Sequence, residues 1–284
     1  MGLFCGQHSV FEERDKKLTE YFWEYMKRIA FIIALIWTCS SVAFGQLNQT
    51  DAQGRKHGKW QRKFENSAGI QFQGQYVHGT PIGTFYSYFE NGKIQAELIY
   101  SQNGTVRHAK IYHANGKLKA KGKYVNEQKD STWLLYDDRG RLAVEEEWRD
   151  GQYHGKNVTY YTDEITNNFG QKAYIQGRMS RFYQFRNGQL HGKFWEYFPN
   201  GNVKVEGEYV DGNLEGSVIT YRHDGTKLKM INYRHTVKNG WGVVFDEDGR
   251  TILKKIFYLN GDLLTDEELD KYLERNNLED PRKK

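Results

Sequence analysis

The chain has 284 residues, with 41 Lys and Arg against 36 Asp and Glu and a net charge of +5. The two signs are interspersed, which excludes a nucleic-acid footprint and argues against membrane attachment by charge alone. Its 20 Tyr and 29 Gly against 3 Pro favour strands joined by tight turns, because aromatic rings fit a pleated surface and glycine reaches positive φ.

Residues 1–25 are polar and aromatic without a period. Met26-Lys27-Arg28 then opens an apolar run from Ile29 to Trp37, followed by Thr38 to Ser41 and by Ala43-Phe44-Gly45 before Gln46. A basic start, a short apolar middle and a small-x-small end read as a secretory signal peptide over 26–45. The run is too short to cross a bilayer as a helix. Met26 is then the real start and 1–25 a mis-called extension. The alternative is a genuine extension ahead of an anchoring segment. Export is expected, to the periplasm, the cell surface or the exterior.

Cys5 and Cys39 both precede Gln46, so no disulfide, zinc site or thiol chemistry is expected beyond it. A lipid anchor on Cys39 is disfavoured, because Ile36-Trp37-Thr38 departs from the small residues such a site prefers. Residues 46–56 read as a linker.

From residue 57 to 261 the chain repeats itself. Gly69, Gly92, Gly116 and Gly140 follow one another at 23, 24 and 24 residues, and Gly201, Gly225 and Gly249 at 24 and 24. The wider gap between Gly140 and Gly201 holds two units and an irregular insertion over 162–179. About eight units result, the first and last degenerate as terminal caps are. Each has two turns. Asn91-Gly92, Asn115-Gly116, Asn200-Gly201, Asp224-Gly225 and Asp248-Gly249 mark the first, expected as type I′ hairpins. Asn103-Gly104, Asp150-Gly151, Asn187-Gly188, Asp211-Gly212 and Asn260-Gly261 mark the second. Two turns per unit mean two strands, and consecutive hairpins then add edge to edge.

Strands alternate: Val203, Val205 and Tyr209 point one way, and Lys204, Glu206 and Glu208 the other. Gly74, Gly122 and Gly207 recur within second strands, where a glycine marks close approach; a neighbouring ring is expected over each. Trp60, Phe85, Trp133 and Trp195 begin first strands, and Tyr88, Tyr136 and Tyr197 follow them. These seven form the candidate binding face, read either as core rings packed on one another or as an exposed stripe. Residues 262–284 close the chain. Thr265-Asp266-Glu267-Glu268 is a capping-box pattern, and Leu269, Tyr272 and Leu273 follow at helical spacing. A short helix over about 266–276 should cover the last sheet edge, with a disordered tail beyond it.

The unit resembles the MORN repeat, and more closely its bacterial variant. Gly-x-aromatic-x-x-Tyr-x-x-Asn-Gly-Lys opens the hallmark and Glu-x-x-Tyr-x-x-Gly closes it; Tyr88, Asn91, Gly92, Lys93, Glu97 and Tyr100 occupy these places. The resemblance implies an all-β fold, an antiparallel meander of tandem β-hairpin repeats forming an elongated twisted sheet. It implies an interaction module, and one bacterial branch bears the label of a YwqK-type antitoxin component. Some eukaryotic members are linked to membranes and phospholipids.

No nucleotide-loop, zinc-protease or nucleophile-elbow motif occurs. Asp246-Glu247-Asp248-Gly249 lacks the ligand spacing of a calcium loop and reads as a turn. His57, His154 and His191 each precede a repeat glycine; in three separate units they lie several strands apart and could converge on one metal only with strong curvature, so a structural turn role is expected. Glu97, Glu145 and Glu206 recur near one strand position and are expected to pair with neighbouring Lys or Arg. A non-catalytic scaffold for protein–protein interaction is therefore expected, without metal or cofactor, its protein partner unknown. The alternatives are a cell-wall glycan or lipid binder using the aromatic ladder, an antitoxin-like neutralising protein, and a hydrolase seated in the insertion.

Overall fold

The computed structural model describes Glu24, Lys27 and residues 46–162, 164–166, 172–174 and 177–283. The expected extension, signal peptide and both cysteines lie outside the described residues, apart from Glu24 and Lys27. Residues Leu47–Lys284 make one compact unit. Among the described residues, no helix is long and apolar enough to cross a membrane.

Among the described residues, nineteen strands form one antiparallel meander in which neighbours along the chain pair, except that Gln189–Leu190 and Gly192–Tyr197 both pair with Met179–Arg186. The order runs from Gln49–Thr50 through Lys56–Lys63 to Ile252–Leu259 and the short edge strand Asp262–Leu263. This is the expected hairpin meander. Nearest-neighbour pairing follows from turns too short to skip a strand.

The two turn classes differ in a way their shared Asn-Gly spelling conceals. In the second class both central residues take positive φ: Asp211 at 46° and Gly212 at 85°, Asn187 at 49° and Gly188 at 81°. These are type I′ turns, whose twist matches the flanking strands. Asn103-Gly104 departs from them within a wider loop between the paired Ser101 and Val106. In the first class the expected type I′ turn is replaced. Gly92 has φ 78°, its N–H donates to the Phe89 carbonyl at 2.9 Å, and the Phe89 N–H donates to the Lys93 carbonyl at 2.8 Å. That is a type I turn closed by a left-handed glycine, a three-residue loop. Asn91 serves there through its side chain, Oδ1 accepting the Lys93 N–H at 3.1 Å. Asn115, Asn200, Asp224 and Asp248 repeat the contact.

Within residues 46–56, read as a linker, lies a short strand of the sheet. Gln49–Thr50 pairs with Lys56 and His57, and Asp51 organises the turn between them by accepting the N–H groups of Gln53 and Arg55, both at 3.0 Å. The turn lacks an Asn-Gly pair, so it left no signal in the pattern. The insertion contains its own two-stranded hairpin, Glu164–Thr166 against Lys172–Tyr174. The sheet closes past it, Gln152–Tyr160 pairing directly with Met179–Arg186.

The C-terminal helix, Asp266–Arg275, forms with both halves of the capping box in place. Leu269 and Leu273 are buried against Phe257, with Trp241, Leu259, Leu264 and Tyr272 around them. The helix thus lies on a face of the last long hairpin rather than along its edge. Beyond it the tail expected to be disordered is held: Arg282 bonds Asp280 at 2.8 Å and Asp266 at 3.2 Å, and also reaches Asp270. Lys255 donates to the Pro281 carbonyl.

Candidate binding face

Cross-strand partners share a face and successive residues alternate, so the registers sort every strand residue. One face has three rows. The middle row contains Trp60, Gly74, Phe85, Leu98, Ala109, Gly122, Trp133, Glu146, Tyr183 and Phe194. Phe85, Trp133 and Phe194 are its buried rings, with Trp133 only 1% exposed. The expected close approach is present: a Cβ on Gly74 would overlap the Phe85 ring, one on Gly122 the Trp133 indole, and one on Gly207 the Phe194 ring. A glycine stands beside each buried ring because a single layer can bury a ring only by sinking it onto its neighbour's backbone.

A second row runs beside the type I′ turns. Tyr76, Tyr100, Tyr124 and Trp148 occupy it in the first half, and Phe185, Tyr209, Tyr233 and Tyr258 in the second. All are half-buried. Edge-on contacts join the rows, Phe85 with Tyr100 at 5.0 Å and Tyr124 with Trp133 at 4.8 Å between centroids. Cations lie over these rings. Lys129 Nζ is 4.8 Å from the Trp133 centroid and 4.4 Å from Trp148, Arg107 is 4.5 Å from Tyr124, and Lys56 is 4.7 Å from Trp60 and 4.9 Å from Tyr76.

Glu146 sits among these rings as the buried carboxylate, 7% exposed. It accepts from Lys129 at 3.3 Å, Trp148 Nε1 at 2.9 Å and Tyr153 Oη at 3.1 Å. Burial first, then the Glu146 charge, pushes the Tyr153 hydroxyl up to about 12.

The seven candidate residues do not share a face. Trp60, Phe85 and Trp133 lie in the middle row, while Trp195 pairs with Phe182 and Glu206 on the opposite face. The reason is a one-residue slip between neighbouring aromatics: Phe194, seven residues before Gly201 as Phe85 is before Gly92, is the equivalent ring. Tyr88, Tyr136 and Tyr197 also lie on the opposite side, because each follows its middle-row ring, Phe85, Trp133 or Phe194, by three residues, an odd step along the strand. There Tyr88 accepts from Gln73 at 2.7 Å, and the Tyr197 carbonyl accepts from Tyr161 at 2.7 Å. Sequence reasoning overlooked the Tyr76-Tyr100-Tyr124-Trp148 row, whose strict 24-residue spacing is plain in the chain.

The recurrent carboxylates lie on this opposite face. Glu97 pairs with Lys110 at 3.5 Å and Glu145 with Lys156 at 2.9 Å. Glu206 departs from the expectation of a basic partner: it accepts from Trp195 Nε1 at 3.0 Å and Tyr221 at 2.6 Å. An open hollow beside it is lined by Lys193, Trp195, Glu208 and Ile219. His57 and His191 support turns, their Nδ1 atoms accepting the His78 N–H at 3.4 Å and the Asp211 N–H at 3.3 Å. Among the described residues, no group of three or more His, Cys, Asp or Glu side chains could hold a metal ion.

No curated protein matches the chain. Among solved structures, it is similar to TarM at 12% identity and a TM-score of 0.24, covering 66% of this chain and 32% of that one. It is similar to a porin-like protein from Bacteroides uniformis at 10% identity and a TM-score of 0.14, covering 72% and 92%. Residues 81–106, 108–126 and 190–211 match the family model of the MORN repeat variant.

Proposed function

We propose that this chain is a non-catalytic scaffold that binds a protein partner along its aromatic face after export from the cytoplasm. The observation behind this reading is the row of half-buried rings from Tyr76 to Tyr258, over which no second layer packs among the described residues. Apolar surface of this kind, set in a polar surround, marks an interaction site. Repeat sheets suit extended partners, because each unit offers the same contacts again. The signal-peptide pattern over 26–45 supports export. An antitoxin-like role is the special case in which the partner is a toxin, and the export signal weighs against it.

Glycan binding by ring stacking has less support. It needs ring faces open to a sugar, and Lys56, Arg107 and Lys129 stand over Trp60, Tyr124, Trp133 and Trp148. The test is a crosslinked pull-down from cell envelopes, comparing the wild-type chain with a Tyr100→Ser, Tyr209→Ser variant. One dominant protein lost in the variant is expected. Equal capture by both, or capture of no protein, would overturn the reading.

A further inference from the structure

The two faces of the sheet differ in charge. In the aromatic row, Lys56, Arg107, Lys129 and Lys238 face the same side as the rings. In the third row of that face lie Arg62, Arg181, Lys229 and Lys254. Only Glu146 and Glu196 oppose them within these rows, and Glu146 is already held by Lys129. The central rows of the other face instead interleave Glu97, Glu145 and Glu208 with Lys110, Lys156 and Lys193. The modest net charge of the chain therefore hides a basic face.

Several of these cations lack a counter-charge. Lys56 and Lys238 have no carboxylate within ion-pair distance among the described residues. The nearest carboxylate to Arg107 is Glu127 at 4.0 Å, itself 88% exposed, and the buried Arg107 Nε has no hydrogen-bond partner.

The aromatic-row cations are unevenly spaced, but always by whole hairpin units. Lys56 and Arg107 are four strands apart, Arg107 and Lys129 two, and Lys129 and Lys238 eight, counted along the paired order. Each gap is a multiple of the two-strand unit, about 9.5 Å at ordinary strand spacing. A polypeptide in the polyproline II conformation advances about 9.3 Å per three residues. An acidic side chain at every third position thus comes back into phase with each successive unit.

From this the geometry points to an extended acidic polypeptide as the partner, lying across the strands with carboxylates on Lys56, Arg107, Lys129 and Lys238. This rests on the scaffold reading above and names the chemistry of its partner. A carboxylate would give the exposed end of the Arg107 guanidinium a closer counter-charge than Glu127 does at 4.0 Å, and charge-assisted bonds to Arg are the strong ones. The peptide's apolar positions would meet the half-buried Tyr edges.

The test uses the chain from Gln46 onward joined to its native leader and processed by the cell, with two labelled probes. One is a proline-rich peptide with Glu at every third position; the other has the same composition with its glutamates clustered. The spaced peptide should bind more tightly, and added salt should weaken it. An Arg107→Gln, Lys56→Gln variant should lose about tenfold in affinity, equivalent to about 1.4 kcal/mol. A Lys110→Gln, Lys121→Gln variant, altered on the other face, should bind as the wild type does, and circular dichroism of both variants checks that the sheet is intact. Equal binding of the two peptides, or equal loss in both variants, overturns the proposal. Binding of anionic vesicles or an acidic glycan without peptide binding overturns it too, yet leaves the aromatic face as the binding surface. Capture of a partner without an acidic segment in the envelope pull-down would likewise sink this inference and keep the scaffold reading.

Discussion

The Trp133 indole fills the space a side chain on Gly122 would need, a Cβ there overlapping its fused ring atoms. Gly122 has no positive φ, so the requirement is one of volume alone. Gly122→Ala should therefore cost about 1–3 kcal/mol by overpacking. Trp133→Ala should cost about 3–5 kcal/mol through the cavity it leaves. In the Trp133→Ala background the alanine at 122 should add almost nothing, since the clash is gone. Urea unfolding of the four species measures this, and additive losses would show that the glycine is needed for another reason.

Glu146 is the second point at which the face is vulnerable. Glu146→Gln keeps an acceptor for Trp148 and Tyr153 but strips Lys129 of its counter-charge. A loss of about 1 kcal/mol is expected, because the half-buried Lys129 loses its counter-charge beside the rings. The same change should lower the Tyr153 pKa, because the Glu146 charge helps to raise it. An unchanged tyrosine titration in the variant would contradict the assignment.

Alkaline stability follows from the tyrosines. Tyr153 and Tyr221 are each raised from 10.0 to about 12, by burial first and then by Glu146 and Glu206 respectively. A raised pKa means the folded state holds the proton more tightly than the unfolded chain. Their contribution is complete below pH 10 and is lost as pH climbs toward 12. Difference absorbance against Tyr153→Phe and Tyr221→Phe variants isolates these two hydroxyls, which should ionise late and together with loss of the sheet signal. Ionisation of either at pH 10 with the sheet intact would refute this.

At the C-terminal end, Thr265→Ala removes the side chain that accepts the Glu268 N–H and should cost about 1 kcal/mol. Leu269→Ala, in the buried cluster with Phe257, should cost about 2–5 kcal/mol. Because Trp241 borders that cluster, its fluorescence should shift to the red in the second variant before the remaining sheet unfolds. A cap loss that spreads through the whole sheet in one step would show tighter coupling than nearest-neighbour repeats imply.

Much of the fold was legible because its signals are local. The left-handed glycine turns at Gly92 and Gly201 and the capping box at Thr265 each depend on a few adjacent residues. The face was harder to read. Phe194 and Trp195 are both large rings, and only counting back from Gly201 separates the buried one from its neighbour on the other side. Tyr88 stands three residues after Phe85, an odd step, so alternation alone sends the two rings to opposite faces. The placement of Lys129 over two indoles, and the burial of Glu146 beneath it, join residues from different strands through registers that no single segment encodes.

The sheet closing past the Glu164–Tyr174 excursion has a further meaning. Every strand answers only to its immediate neighbours, so the molecule behaves as a ruler graduated in whole hairpins. Excising one complete graduation would shorten the distance between flanking sites by about 10 Å, the width of two strands, while leaving the facing of every remaining side chain unchanged. Excising half of one would break the pairing order instead. Reach, in such a molecule, is set by counting.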